Sequence, residues 1–153
     1  MKSFVDIDNA RVDEQRREME LIMERGHCPF CPENLALYHK KPNLKDGKYW
    51  TVSENQWPYE NVKLQLLAIY KTHAESITEL DPAAGEELLR FFSEIVEEYK
   101  IPGGGLAMRF GDTDYSAGTV AHIHAQFIWP NIDKPDFKPV RFKIGKDVEK
   151  RKK

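Results

Sequence analysis

The chain reads as an α+β domain, an antiparallel sheet with one long helix packed on it. Three observations predict this. Four apolar runs, "YWTVSEN", "KLQLLAIY", "LAMRF" and "AHIHAQFIW", have strand-like composition and are separated by turn-forming residues. One segment, "ELDPAAGEELLRFFSEIVEEYKIPGGG", carries a helical stripe instead. No internal repeat or linker divides the 153 residues, a length that suits one domain with one core. Hairpin-like strands interrupted by a single helix favour an antiparallel sheet over βαβ units.

The first element is a helix over about residues 10–25. Val12, Met19, Ile22 and Met23 recur at roughly helical spacing, and Gly26 supplies a C′ stop. "HCPFCPEN" is a Pro-rich turn carrying both cysteines, and "HKKPNLKDGK" a polar loop. "YWTVSEN" and "KLQLLAIY" are strands flanking the turn "QWPYEN". In the long helix Asp81 is the N-cap and Pro82 suits N1. Leu88, Leu89, Phe92, Ile95, Val96 and Tyr99 form its apolar stripe, and Pro102 with three glycines ends it. The strands "LAMRF" and "AHIHAQFIW" follow, joined by the loop "GDTDYSAGTV", and a short strand "VRFKI" comes last. Residues 1–140 make the domain. Residues 141–153 are a basic tail, with Arg141, Lys143, Lys146, Lys150, Arg151, Lys152 and Lys153, read as solvated and partly frayed.

Charges nearly balance. The 23 basic and 25 acidic residues leave −2, which argues against a dedicated nucleic-acid binder. No stretch approaches the roughly 18–20 apolar residues of a membrane span. The polar N-terminus has no apolar h-region, so the expected compartment is the cytoplasm.

Two stretches carry chemistry. In "AHIHAQFIWP", strand alternation puts His122, His124, Gln126 and Ile128 on one face. Ile123, Ala125, Phe127 and Trp129 take the other, a core face. Polar groups on so apolar a strand need partners or solvent. Two readings follow: an edge strand with a wet face, or a cleft floor holding a nucleophile or metal ligands. Cys28 and Cys31 are spaced Cys-x-x-Cys. They read as ordinary buried cysteines, a redox pair or half of a zinc site, with redox weakest because the motif follows a helix. His27, His39, His73, His122 and His124 are the candidates to complete a zinc site. His73, just past an apolar strand, reads equally as a surface histidine.

Together these segments resemble the histidine triad (HIT) superfamily, and within it the galactose-1-phosphate uridylyltransferase branch. That branch has His-x-His-x-Gln, here "HIHAQ", where most of the superfamily has three histidines. "CPFCPEN", "YWTVSENQWPYEN" and "LLAIYKTHAESITELDPAAGEELLRFF" match its other elements in order, so the resemblance covers about residues 28–130. It implies a HIT-like fold and roles for particular residues. His124 would be the nucleophile, attacking the α-phosphorus of a nucleotide to form a covalent nucleotidyl-histidine. A backbone carbonyl would pin its other nitrogen. Gln126 would donate to the phosphoryl oxygens without acting as an acid. Thr119, with Ser116 as a second hydroxyl, would meet the phosphate, and Asn55 the base or ribose. Cys28, Cys31, His73 and His122 would hold a structural zinc.

The chain departs from the branch in three places. It is about half the length of a uridylyltransferase, which carries two such domains, so a homodimer is expected. Arg109 stands where the family has asparagine before the phosphate loop, and Ala121 where proline is usual. The leading expectation is a nucleotidyl transferase or hydrolase acting on dinucleoside polyphosphates, nucleotide sugars or nucleoside phosphoramidates. The alternatives are a zinc-stabilised nucleotide-binding module with little turnover, and a protein acting on nucleic-acid ends through its basic tail.

Overall fold

A computed structural model describes residues 3–151; Lys152 and Lys153 of the basic run lie outside the described residues. Helix α1 spans Asp13–Arg25 and α2 Pro32–Tyr38. Strands β1 (Asn43–Asp46), β2 (Trp50–Glu54) and β3 (Val62–Tyr70) follow. After the long α3 (Pro82–Tyr99) come β4 (Gly105–Arg109), the single turn α4 (Thr113–Ser116) and β5 (His124–Pro130). The strands form one antiparallel sheet in the order β1-β2-β3-β5-β4. This is the expected α+β class.

Helix α3 forms where its caps put it; of the expected stripe Leu88, Phe92 and Ile95 are buried, whereas Leu89 and Tyr99 are exposed and Phe91 is buried instead. The Asp81 carboxylate accepts the Ala83 N–H at 2.9 Å, with Pro82 in the first turn. Leu88, Phe91, Phe92 and Ile95 pack on Val52, Leu66, Ala68 and Ala125 of the sheet. Phe92 stacks on Phe127 with centroids 5.1 Å apart. Burying each such side chain contributes roughly 1.5–3 kcal/mol. One charged residue sits on the buried stripe. The Glu87 carboxylate accepts the backbone N–H groups of Lys48, Tyr49 and Trp50 at 2.8, 2.8 and 2.9 Å. It thereby fastens the β1–β2 turn to α3. A Cβ at Gly47 in that turn would lie 2.5 Å from the Glu87 carboxyl carbon, so the close approach requires glycine.

Because side chains alternate, the sheet's second face carries Ser53, Gln65, Leu67, His124 and Gln126. Met19 and Ile22 of α1 join Val5 and Tyr38 in a smaller apolar cluster on this side. Gly26, at φ 66, ends α1 as expected and returns the chain toward the cysteines.

Several expectations need correction. Strand β5 begins at His124, so Ala121 and His122 precede it in a bend. The backbone N–H groups of Ala121 and Ile123 go to the carbonyls of Phe4 and Ala74, not to a ladder partner. Shared strand facing therefore does not extend to His122. Nor is β5 an edge: it lies between β3 and β4, which removes the wet-edge reading. The Cys-x-x-Cys turn opens α2, with Cys31 as N-cap and Pro32 in its first turn, where the missing N–H costs nothing. The polar loop contains β1, an edge strand too polar to show alternation. The final strand "VRFKI" does not form. Ile144 is 73% exposed, so no buried face holds that segment as a strand.

Residues 141–151 carry one deeply buried anchor. Lys146, 4% exposed, places its ammonium 2.5 Å from the Asp6 carboxylate and 3.3 Å from that of Asp114. The Thr113 hydroxyl donates to the same Asp6 oxygen at 2.6 Å. The cluster ties the N-terminal segment, α4 and the C-terminal segment together. Among the described residues no helix is long and apolar enough to cross a membrane.

Candidate functional site

A cavity of about 270 Å³ opens on the second face of the sheet. Met19, Ile22, Phe30 and Tyr38 give it an apolar wall. His124 and Gln126 stand on its floor, and Arg11, Arg109 and Lys143 at its mouth. The cavity joins this apolar wall to converging polar and charged groups, Asp8 and Glu18 among them, as small-molecule sites do.

His124 is 5% exposed and flanked edge-on by Phe30, with ring centroids 5.1 Å apart. Its Nδ1 lies 2.6 Å from the His122 carbonyl oxygen. A carbonyl only accepts, so Nδ1 carries the proton and Nε2 keeps its lone pair. Burial pushes the imidazole pKa down to about 4; the His122 carbonyl opposes this, and the nearby His122 and Arg109 add to it. At neutral pH the ring is an uncharged base.

Gln126 is oriented by two other amides. Its Oε1 accepts from Asn55 Nδ2 and from Gln65 Nε2, each at 2.9 Å. Those partners are themselves fixed. Asn55 Oδ1 accepts the Trp57 N–H at 2.7 Å, and Gln65 Oε1 accepts the Tyr59 N–H at 2.6 Å. With its oxygen turned inward to two donors, Gln126 has its NH₂ group left to offer. Asn55 and Thr119 also line the cavity. Ser116 does not share that wall: it is buried in α4, and its Oγ accepts the Gly118 N–H at 3.2 Å.

Cys28, Cys31, His73 and His122 form a second cluster, with all four donor atoms within 4.8 Å of one another. His73 and His122 present Nδ1 atoms 3.2 Å apart. The sulfur–nitrogen separations are 3.3 Å for Cys28–His122, 3.5 Å for Cys31–His73 and 3.8 Å for Cys31–His122. A tetrahedron with metal–sulfur bonds of about 2.3 Å and metal–nitrogen bonds of about 2.0–2.1 Å has edges of about 3.3–3.6 Å for such pairs. The outer nitrogens have partners too. His122 Nε2 lies 2.5 Å from the Tyr70 carbonyl, and His73 Nε2 3.4 Å from the Glu75 carboxylate. Those acceptors place the outer protons, so both inner nitrogens are lone-pair donors, the arrangement of metal-binding histidines. Burial, then the neighbouring Cys28, push the Cys31 thiol up to about 12. A bound divalent cation would reverse that. The donor set fits zinc.

His122 belongs to the cluster and not to the cavity. Its ring turns to the cysteines and is absent from the cavity wall, while His124 lines it. His27 and His39 are outside the cluster, bonded to Tyr38 and Ser53 at 2.6 and 2.5 Å. Sequence reasoning missed Gln65, whose only signal is its place as a lone amide in "KLQLLAIY". It also missed the C-terminal segment, since Arg141, Lys143 and Lys150 line the cavity.

No family model matches the chain. An uncharacterized protein of Archaeoglobus fulgidus is 24% identical over 144 residues, covering 85% of this chain; the chain spans only 42% of that relative. Solved structures share the fold. A histidine triad nucleotide-binding protein from Candida albicans aligns with TM-score 0.55 and 16% identity, over 66% of this chain and 73% of that one. A zinc-bound histidine triad family protein from Mycobacterium smegmatis aligns with TM-score 0.54 and 19% identity, over 74% and 81%. A hypothetical histidine triad nucleotide-binding protein from Sulfolobus tokodaii aligns with TM-score 0.53 and 21% identity, over 80% and 83%. The chain has the HIT fold.

Proposed function

We propose that this protein is a HIT-superfamily enzyme acting on a nucleotide through His124, as a nucleotidyl hydrolase or transferase. One observation carries the reading. His124 Nδ1 is bonded to the His122 carbonyl at 2.6 Å, so Nε2 is a neutral nucleophile in a residue that lines a cavity of about 270 Å³. Attack forms the Nε2–phosphorus bond and expels the group on the α-phosphate. The Gln126 amide, held by Asn55 and Gln65, donates to the phosphoryl oxygens, and Thr119 adds its hydroxyl. The apolar wall of Met19, Ile22 and Phe30 receives the base.

Zinc at Cys28, Cys31, His73 and His122 is structural in this reading, joining the α1–α2 turn to the segment entering β5. The His-x-His-x-Gln and Cys-x-x-Cys elements support a reading within the uridylyltransferase-like branch, and its sugar specificity is not carried over. A homodimer is part of the proposal. Strand β4, at the end of the sheet, carries the exposed Leu106, with Phe110 exposed just after it. The cytoplasm is the proposed compartment.

The test is intact mass after mixing with a panel of nucleotide donors. A mass increase of one nucleoside monophosphoryl group, absent in His124→Ala, is expected. Tight nucleotide binding with neither adduct nor turnover would leave only a zinc-stabilised binding module.

A further inference from the structure

Helix α1 brings polar side chains to the cavity beside its apolar ones. Gln15, Glu18, Met19 and Ile22 stand at positions i, i+3, i+4 and i+7, so they share one face, and all four line the cavity. Gln15 is only 7% exposed. Its Oε1 accepts the Arg11 N–H at 2.9 Å, which fixes the other end of the amide as the NH₂. Among the described residues that NH₂ donates to nothing. Two acids line the cavity as well, and they differ. Asp8 lies 3.9 Å from the Lys146 ammonium. Glu18 enters no ion pair among the described residues. Its Oε2 accepts from Gln56 Nε2 at 3.3 Å, and its Oε1 accepts from no described residue. Gln56 is oriented for that contact, because its own Oε1 accepts the Lys40 N–H at 2.9 Å. Burial pushes the Glu18 pKa up; Lys40 opposes this, with its ammonium bonded to the Ala36 carbonyl at 3.0 Å. A half-buried carboxylate with one oxygen unbonded gains from a donor brought to it.

An NH₂ beside a carboxylate reads one pattern: acceptor, donor, donor. Guanine presents it, with O6, N1–H and the 2-amino group in that order along one edge. Adenine puts an amino group where Gln15 donates and a lone pair where Glu18 accepts. Cytosine is wrong at the same two places and adds a second lone pair. Uracil matches with O4 and N3–H, but its O2 then faces the second carboxylate oxygen. A carboxylate can instead take a ribose diol. A sugar, however, has no flat apolar face for Met19 and Ile22 and no use for the Gln15 NH₂.

We infer that Gln15 and Glu18 are specificity-determining residues that select guanine, Gln15 donating to O6 and Glu18 accepting from N1–H and the 2-amino group. The inference rests on the reading of the cavity as a nucleotide site, and it narrows the substrate class to a guanine nucleotide. The two bonds to the carboxylate are charge-assisted and carry most of the preference. Met19 and Ile22, on the same helix face, cover the purine ring.

Calorimetric titration of the zinc-replete full chain tests this, with the 5′-monophosphates of guanosine, inosine, adenosine, uridine and cytidine. Inosine differs from guanosine only by lacking the 2-amino group. The wild type should bind the guanosine nucleotide at least about 10-fold more tightly than the inosine one, as loss of a charge-assisted bond implies. The adenosine nucleotide should be weaker than the guanosine one by at least about 10²-fold, because it leaves both side chains mispaired. In Glu18→Ala the guanosine-to-inosine ratio should fall toward one, and the adenosine nucleotide should not weaken. Gln15→Met should weaken the guanosine and inosine nucleotides alike, because both carry O6. No guanosine preference in the wild type, or a ratio unchanged in Glu18→Ala, overturns the inference while nucleotide binding itself stands. An equal loss for all five in Glu18→Ala also overturns it and would assign the carboxylate to the ribose they share. Binding of none of the five removes the inference together with its premise. No ratio depends on adduct formation, so failure of His124 as the nucleophile leaves the base preference intact. If Gln15→Met does not fold, Glu18→Ala decides alone, at a half-buried helix position where alanine is favoured.

Discussion

His73 and His122 face each other through Nδ1 atoms 3.2 Å apart, with the Cys28 and Cys31 thiols beside them. Two lone pairs at that distance repel unless a cation lies between them. Zinc is therefore expected at one per chain, and its binding energy is folding energy. Removing it with a chelator should lower the melting temperature by at least about 10 °C, taking about 2–4 °C per kcal/mol for a chain of this size. Metal analysis of protein purified without chelator checks the stoichiometry. Full zinc content in a Cys28→Ser/Cys31→Ser protein would disprove the assignment.

His122 and His124 should fail differently. His124→Ala removes the cavity nucleophile and leaves the four-residue cluster intact, so adduct formation should vanish with zinc and melting temperature preserved. His122→Ala should lose metal and stability first, because its ring belongs to the cluster and only its carbonyl serves His124. Intact mass, metal content and thermal melts on the two variants separate these outcomes. Full nucleotidyl transfer by His124→Ala would end the proposed mechanism.

Gln126→Ala should slow adduct formation by about 10²–10³, or about 2.7–4 kcal/mol, the usual cost of one lost donor to a developing oxyanion. Gln65→Ala reaches the phosphoryl group through Gln126, whose Oε1 would keep Asn55 as its remaining amide donor, and it also removes the acceptor of the Tyr59 N–H. Losing one such bond costs about 0.5–1.5 kcal/mol, so a fall of about 2–10-fold is expected. Single-turnover rates beside equilibrium nucleotide affinity read this out. A positioning role predicts a slower rate with affinity held; equal losses in both would instead mark a general packing defect.

These predictions rest on features of unequal visibility in the sequence. Helix α3 was legible because cap, stripe and stop agree within one segment, and the strands because their apolar runs are long. The two histidines of the motif were legible as chemistry but not as two sites. Strand alternation assigns them one face, whereas the bend before β5 turns His122 to the cysteines. That bend depends on the Phe4 and Ala74 carbonyls, which are remote in sequence. Helix α2 was hidden because Pro32 signals a turn as well as a helix start. The C-terminal segment was illegible for a physical reason. A lysine in a basic run reads as solvated, and only the fold brings Asp6 and Asp114 to Lys146.

That buried ion pair sets the last expectation, for stability against pH. Burial disfavours the charged Asp6 carboxylate, but bonds from Lys146 and Thr113 outweigh it and hold its pKa below the ordinary value of 3.8. Burial likewise disfavours the Lys146 ammonium, but Asp6 and Asp114 hold its pKa above 10.5. A depressed carboxylate stabilises the fold above its unfolded pKa, and that contribution is lost as pH falls through the folded value, below 3.8. A raised lysine stabilises below its unfolded pKa, and its contribution is lost as pH rises through the folded value, above 10.5. The pair's contribution should thus be flat between these limits. Lys146→Met leaves the Asp6 carboxylate without its buried cation, at an expected cost of about 3–5 kcal/mol at neutral pH. Adding Asp6→Asn should recover part of that loss, because one of the two carboxylates that face Lys146 is then neutral. Urea unfolding of the wild type, both single variants and the double variant at pH 7 and pH 3 measures each term. A Lys146→Met protein as stable as the wild type at pH 7 would mean the C-terminal segment is not held by this pair.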